Sequence, residues 1–433
     1  MRLKGLIQRF SVNGRIKDSE SIRKVAGNFI YLSVLNALNV LLPLITLPYL
    51  MRTVGKANYG IYSYVYMILQ YVILFSTYGF NFSATKQISQ FRDDRDKVNV
   101  IYNSVIASKF LIGIASIVLI MLFSRFVFKD EQAPLMFLFG MGMVVGDILT
   151  PVWLFQGMEK MKYMTLVNAS SKILFTILVF VVIRKTDDYY LLVLLNSAGY
   201  ILAGLMSLYL ASRQFGMCLR FAAFSDIKYQ LREGAAVFGS TFGMNLYRNA
   251  NVIILKQLAP NEVVGLYAAA EKVIKGFQSI ISPAAQAIFP HLSLKFKNKT
   301  VVENIFLLKK IAFPFAGVVL VLSLSVFLCA PWISDLLCGG VEFRDCVPII
   351  RIMTPVIFLG EINYLIGIVG LINLDHQKQF FHFVLIAGFF SVCFILIFAV
   401  RYGAQAAAAS MSLSELLLCI LCLMCLISIN KKK

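Results

Sequence analysis

The stretch NLYRNANVIILKQLAPNEVVGLYAAAEKVIKGFQ, residues 245–278, decides how this chain is read. Two apolar runs flank Ala259-Pro260-Asn261, so a helical hairpin across a membrane is expected, reversing near Pro260. Yet the hairpin carries more charge than lipid tolerates: Arg248, Glu271, Lys272 and Lys275. Counted from the turn at a rise of roughly 1.5 Å per residue, Arg248 and Glu271 lie at similar depth, and they are expected to pair. Lys272 and Lys275 are then left without an obvious local partner. A charge at the bilayer centre costs about 2.5–3.5 kcal/mol on insertion scales, so the charged faces are expected to meet protein or water. The bases are therefore expected to line a polar cavity that accepts an anion.

The rest of the chain fits that setting. Its 433 residues are 59% hydrophobic and 15% charged, with mean hydropathy +0.77, which excludes an ordinary soluble fold. Apolar runs of about 18–25 residues give twelve expected spans, starting near Asn28, Tyr59, Val100, Pro134, Tyr163, Tyr189, Gly234, Val263, Ile311, Val347, Phe380 and Ala404. The fold class expected is thus an all-α polytopic membrane protein, with connections too short for an extramembrane domain.

The formal net charge of +19 serves topology rather than nucleic acid. One set of alternate connections carries 26 Lys and Arg, beginning with Arg2, Lys4, Arg9, Arg15, Lys17, Arg23 and Lys24, and the opposite set carries nine. Both termini are therefore expected in the cytoplasm. The first 24 residues have no apolar core or small-residue cleavage site, and they are expected to form a basic cytoplasmic segment. Two bundles of six spans are expected, 25–211 and 234–433, joined by a cytoplasmic amphipathic linker at 212–233. An internal echo supports two halves: Tyr59-Gly60-Ile61-Tyr62-Ser63 resembles Val264-Gly265-Leu266-Tyr267-Ala268.

Other intramembrane polar residues are functional candidates by default. Lys109 and Asp147 lie at similar depth and can pair, with Lys172 nearby in depth. Asn36 and Asn39 make the first span polar, and Glu361 and Glu415 place carboxylates in the tenth and twelfth. Pro283 is expected to kink its helix. Trp153 suits an aromatic belt at the inner boundary. Cys338 and Cys346 share a non-cytoplasmic loop and are open to oxidation if that compartment permits disulfides. Some chemistries are missing. The chain has no GxxxxGK[ST] phosphate loop, and its three histidines, His291, His376 and His382, show no HExxH spacing, so no cofactor or metal is expected.

The segments PLITLPYLMRTVGKANYGIYS (43–63), YGFNFSATKQIS (78–89), WLFQGMEKM (153–161), YRNANVIIL (247–255) and AAEKVIKGFQSIISPAAQAIFPHLS (269–293) resemble the Wzx family of O-antigen flippases, within the multidrug/oligosaccharidyl-lipid/polysaccharide exporter superfamily. The resemblance implies two six-helix bundles around a cationic cavity in a bacterial inner membrane protein. It implies movement of undecaprenyl-diphosphate-linked oligosaccharide between leaflets by alternating access, driven by an ion gradient, with protons as the expected ion. It also implies membrane lipids, a polysaccharide polymerase and a chain-length regulator as partners, and no nucleic acid. On their own chemistry, Arg248, Lys272, Lys275, Lys109 and Lys172 can supply charge for a diphosphate, and Asn36, Asn39, Asn245 and Asn249 can meet sugar hydroxyls. Asp147, Glu271, Glu361 and Glu415 are the carboxylates able to exchange a proton. The alternatives are a multidrug antiporter, which calls for an acidic and aromatic cavity, and a membrane polysaccharide polymerase, which calls for a large outer loop.

Overall fold

The computed structural model describes residues 2–296 and 301–431, and among these every regular element is helical. In chain order the helices are α1 (Arg2–Thr77), α2 (Phe80–Gln90), α3 (Arg95–Leu122), α4 (Ser124–Val127), α5 (Ala133–Ile148), α6 (Val152–Gly157), α7 (Met161–Val182) and α8 (Leu191–Phe215). After the non-helical stretch 216–223 come α9 (Phe224–Asn249), α10 (Asn251–Leu258), α11 (Asn261–Phe296), α12 (Val301–Leu328), α13 (Ala330–Leu337), α14 (Cys346–Met353) and α15 (Pro355–Asn363). A π-helical stretch, Tyr364–Ile372, leads to α16 (Gln377–Lys431).

Eight helical segments among the described residues are long and apolar enough to cross a membrane. Two of them are of double length and bend at a glycine. Gly55 (φ 79°, ψ 165°) divides α1 and Gly403 (φ 53°, ψ −126°) divides α16, a left-handed backbone region that glycine enters without a Cβ penalty. The expected starts at Tyr59 and Ala404 fall just past these bends. The charged α9–α11 region is not among these eight, although the hairpin exists as expected: α10 stops at Leu258, Ala259 is extended, and α11 starts at Asn261. α11 runs through Pro283 without interruption. The linker is not one helix, because α8 ends on left-handed Gly216 and α9 begins at Phe224, inside the expected linker.

One apolar core joins the second limb of α1 to α5, α8, α11, α14 and α16 through residues such as Tyr64, Leu69, Phe137, Val193, Tyr267 and Ile350. α5 seats directly against α8: a Cβ at Gly146 would stand 2.2 Å from the Tyr200 carbonyl oxygen, so only hydrogen fits there. A second core holds Trp153. Its ring is 1% exposed and lies 5.9 Å from that of Tyr102, with Phe80 and Leu154 in the same cluster. Trp153 is therefore a packing residue and not a belt residue, because Pro151 breaks the chain between α5 and α6 and turns the short α6 inward onto α2.

The hairpin turns collect at one end, the turn end. There Arg52 Nε donates to the Gly339 carbonyl (2.6 Å), and Lys56 faces Glu262 (3.8 Å) and Asp345 (3.6 Å). Cys338 and Cys346 lie in this region as buried free thiols. At the opposite end, α2 and α3 meet α9, with Gln87 and Gln230 exchanging amide hydrogen bonds of 2.9 and 3.2 Å.

Candidate functional site

The faces of α1 and α11 that look at each other enclose a cavity of about 500 Å³. On α11 the lining residues are Ala268, Glu271, Lys272, Lys275, Gly276, Ser279, Ser282 and Pro283, a spacing of three and four that places them on one helical face. The first limb of α1 contributes Asn36, Asn39 and Pro43, and the second contributes Tyr59, Tyr62, Ser63 and Tyr66. α7 adds Lys172, Phe175 and Thr176, and Asn196 comes from α8. A cationic, hydroxyl-rich wall thus faces an aromatic one.

The lysines are not equivalent. Lys275 Nζ lies 2.9 Å from Glu271 Oε1 and donates to Asn249 Oδ1 (2.9 Å), while Asn249 Nδ2 donates to Asn245 Oδ1 (3.0 Å). Lys272 Nζ donates to the Tyr59 hydroxyl (3.1 Å) and stands 5.6 Å from that ring's centre. Among the described residues no carboxylate lies within ion-pair distance of Lys272 or Lys172. The expectation that Lys275 lacks a local partner is corrected, since Glu271 is one helical turn away on the same face. Arg248, expected to take Glu271, has a side chain outside the described residues.

The other candidates are dispersed. Lys109, 3% exposed, donates to the Asp147 carboxylate (2.9 Å) and carbonyl (2.6 Å) between α3 and α5, and neither residue lines the cavity. Glu361 lies just behind the cavity and accepts from the lining Ser282 hydroxyl (3.0 Å). Glu415 is fully buried and accepts from Asn363 Nδ2 (2.7 Å). Asn245 and Asn249 form a polar layer behind Lys275. Sequence reasoning missed the tyrosines, although Tyr59, Tyr62 and Tyr66 repeat at helical spacing beside Ser63. Their rings follow one another at 5.9 and 5.8 Å, and Tyr62 accepts from Asn196 Nδ2 (2.9 Å).

Long apolar helices enclosing a polar, cationic chamber define a multi-pass membrane protein. The chain belongs to the family described as Polysaccharide biosynthesis protein, whose pattern matches residues 25–295. It is 29% identical over 391 residues to the "Putative O-antigen transporter" of Escherichia coli (strain K12), spanning 90% of this chain and 94% of that one. Its fold is similar to the lipid II flippase MurJ in an inward closed conformation, at a TM-score of 0.74 and 13% identity over 92% of this chain and 86% of that one. It is also similar to an inward-facing multidrug resistance MATE transporter of the MOP superfamily, at 0.65 and 12% identity over 90% and 98%.

Proposed function

We propose that this protein is a flippase that carries an undecaprenyl-diphosphate-linked oligosaccharide from the cytoplasmic to the periplasmic leaflet of a bacterial inner membrane, with both termini cytoplasmic. One observation carries this reading: a cavity with Lys172 and Lys272 uncancelled by any described carboxylate, flanked by Asn36, Asn39, Ser279 and Ser282. Phosphate oxygens take the lysines as charge-assisted donors, sugar hydroxyls take the amides and hydroxyls, and the prenyl tail stays in lipid between the halves. A cationic drug would meet repulsion in the same chamber. Glu271 is the coupling carboxylate in this reading, because it alone of the four candidates lines the cavity. Protonating it frees Lys275, so proton and anion binding act on one pair. The test is deletion of the gene followed by analysis of lipid-linked oligosaccharide. Accumulation in the cytoplasmic leaflet with loss of surface polysaccharide is expected; unchanged polysaccharide in the deletion strain rejects the reading.

A further inference from the structure

The connection from α13 to α14 reads Cys338-Gly339-Gly340-Val341-Glu342-Phe343-Arg344-Asp345-Cys346, with a cysteine at each end. Cys338 directly follows the last residue of α13, and Cys346 is the first residue of α14. Between them Gly339 (φ 113°) and Gly340 (φ 116°) turn the chain back through a backbone region that glycine enters without a Cβ penalty. The loop is tied across its neck by polar contacts. Ser334 Oγ donates to the Phe343 carbonyl (3.0 Å), and Arg344 donates to Asp335 through Nε (3.2 Å) and Nη2 (3.0 Å). The two thiols meet inside this loop, that of Cys346 lying within hydrogen-bonding reach of Cys338.

Both cysteines are 0% exposed, so a bond between them is shielded from small reductants once the chain has folded. The loop itself is seated on α1 at the residues flanking the Gly55 bend. Arg52 Nε donates to the Gly339 carbonyl on one side of that bend, and Lys56 faces Asp345 (3.6 Å) on the other. Cys346 Sγ donates to the Leu266 carbonyl of α11 (3.8 Å). By contrast, Cys419, Cys422 and Cys425 follow one another at helical spacing along α16, with no turn to bring a pair face to face.

We propose that Cys338 and Cys346 are joined by a disulfide in the mature protein, which closes the 338–346 loop and fixes it against the bend of α1. The structure holds the same pair in its reduced form. The inference rests on the transport reading for its compartment, in which the turn end faces the periplasm, where disulfides persist. The oxidant is a protein disulfide of that compartment. One cysteine thiolate attacks a sulfur of the donor's disulfide, and the second thiolate then displaces the donor from the mixed disulfide. The two thiols of this chain lose two electrons and two protons, and the donor disulfide gains both and leaves as a dithiol. Exchange precedes seating of the loop, because in the folded chain neither sulfur is exposed.

The test counts free thiols in the full chain, which has eight cysteines. Cells are quenched with acid, and the protein is denatured in SDS and treated with a polyethylene-glycol maleimide before or after reduction, each addition retarding the band. Six additions are expected before reduction and eight after it. Cys338→Ser and Cys346→Ser are each expected to take seven in both conditions. Eight additions to the parent before reduction overturn the proposal, and so does a serine variant that still gains two additions on reduction, because the bond then lies elsewhere. Denaturation comes before labelling, so a variant of low stability reads out as well as the parent. Either substitution removes the same single bond, so the thermal midpoint of the solubilised protein is expected to fall by a few degrees in each single variant and no further in the double variant. Additive losses overturn the proposal. Thiol counting needs no substrate: eight additions remove the disulfide and leave the flippase reading standing, whereas six additions keep the disulfide even if the deletion strain rejects the flippase reading.

Discussion

At the residue scale, the cavity separates lysines that composition alone makes alike. Lys275 is half-cancelled by Glu271, whereas Lys272 rests on a neutral phenol. A charge-assisted hydrogen bond contributes roughly 1.5–3 kcal/mol, so Lys272→Ala is expected to cut export about 10- to 100-fold, with a smaller loss for Lys275→Ala. Polysaccharide ladders at matched membrane protein levels measure the order, and the reverse order removes Lys272 from the phosphate site. The Lys109–Asp147 pair predicts a different behaviour. Leaving one buried charge unpaired costs about 3–5 kcal/mol, so Lys109→Met is expected to destabilise the detergent-solubilised protein, and adding Asp147→Leu to restore most of it. Thermal unfolding measures this. A double variant as unstable as the single one shows that the pair is more than a structural contact.

At the element scale, the starts near Pro134, Tyr163 and Val347 were readable because apolar length and turn chemistry are local, whereas those at Asn28, Gly234 and Ile311 fall inside longer helices. Breaks at Gly55, Pro260 and Gly403 follow from glycine and proline, and the hairpin at 245–278 formed where Ala-Pro-Asn placed it. Partner choice was readable only in part: Lys109 and Asp147 paired as their depths suggested, whereas the Lys275 partner was not foreseen. Depth along a span suggests which charges can meet, but rotation about the helix axis decides which do, so Lys275 met Glu271 on its own helix and Trp153 turned inward. The tyrosine face was present as spacing but was hidden among many other aromatics. The α5–α8 contact carries its own prediction. Gly146→Leu places a side chain against the Tyr200 backbone, which cannot yield, so the cost is expected to exceed the roughly 1–3 kcal/mol usual for overpacked cores. Size-exclusion profiles of the solubilised variant check it, and a monodisperse peak at parental yield contradicts it.

At the scale of the whole molecule, the excess of basic residues on one set of connections predicts the orientation. Alkaline phosphatase fused after Glu342 is expected to be active, and fused after Ala222 or Lys433 inactive; the opposite pattern inverts the direction of transport. In either orientation, the lysine-lined chamber has a mechanical consequence. Lys172 and Lys272 are like charges facing one space, so an unloaded chamber is expected to resist contraction. In the proposed function, a diphosphate headgroup would be the counter-ion that cancels this repulsion and lets the chamber contract. On that reading, cargo of the right sign is the expected condition for shrinkage, and an empty or wrongly charged carrier is expected to stay swollen.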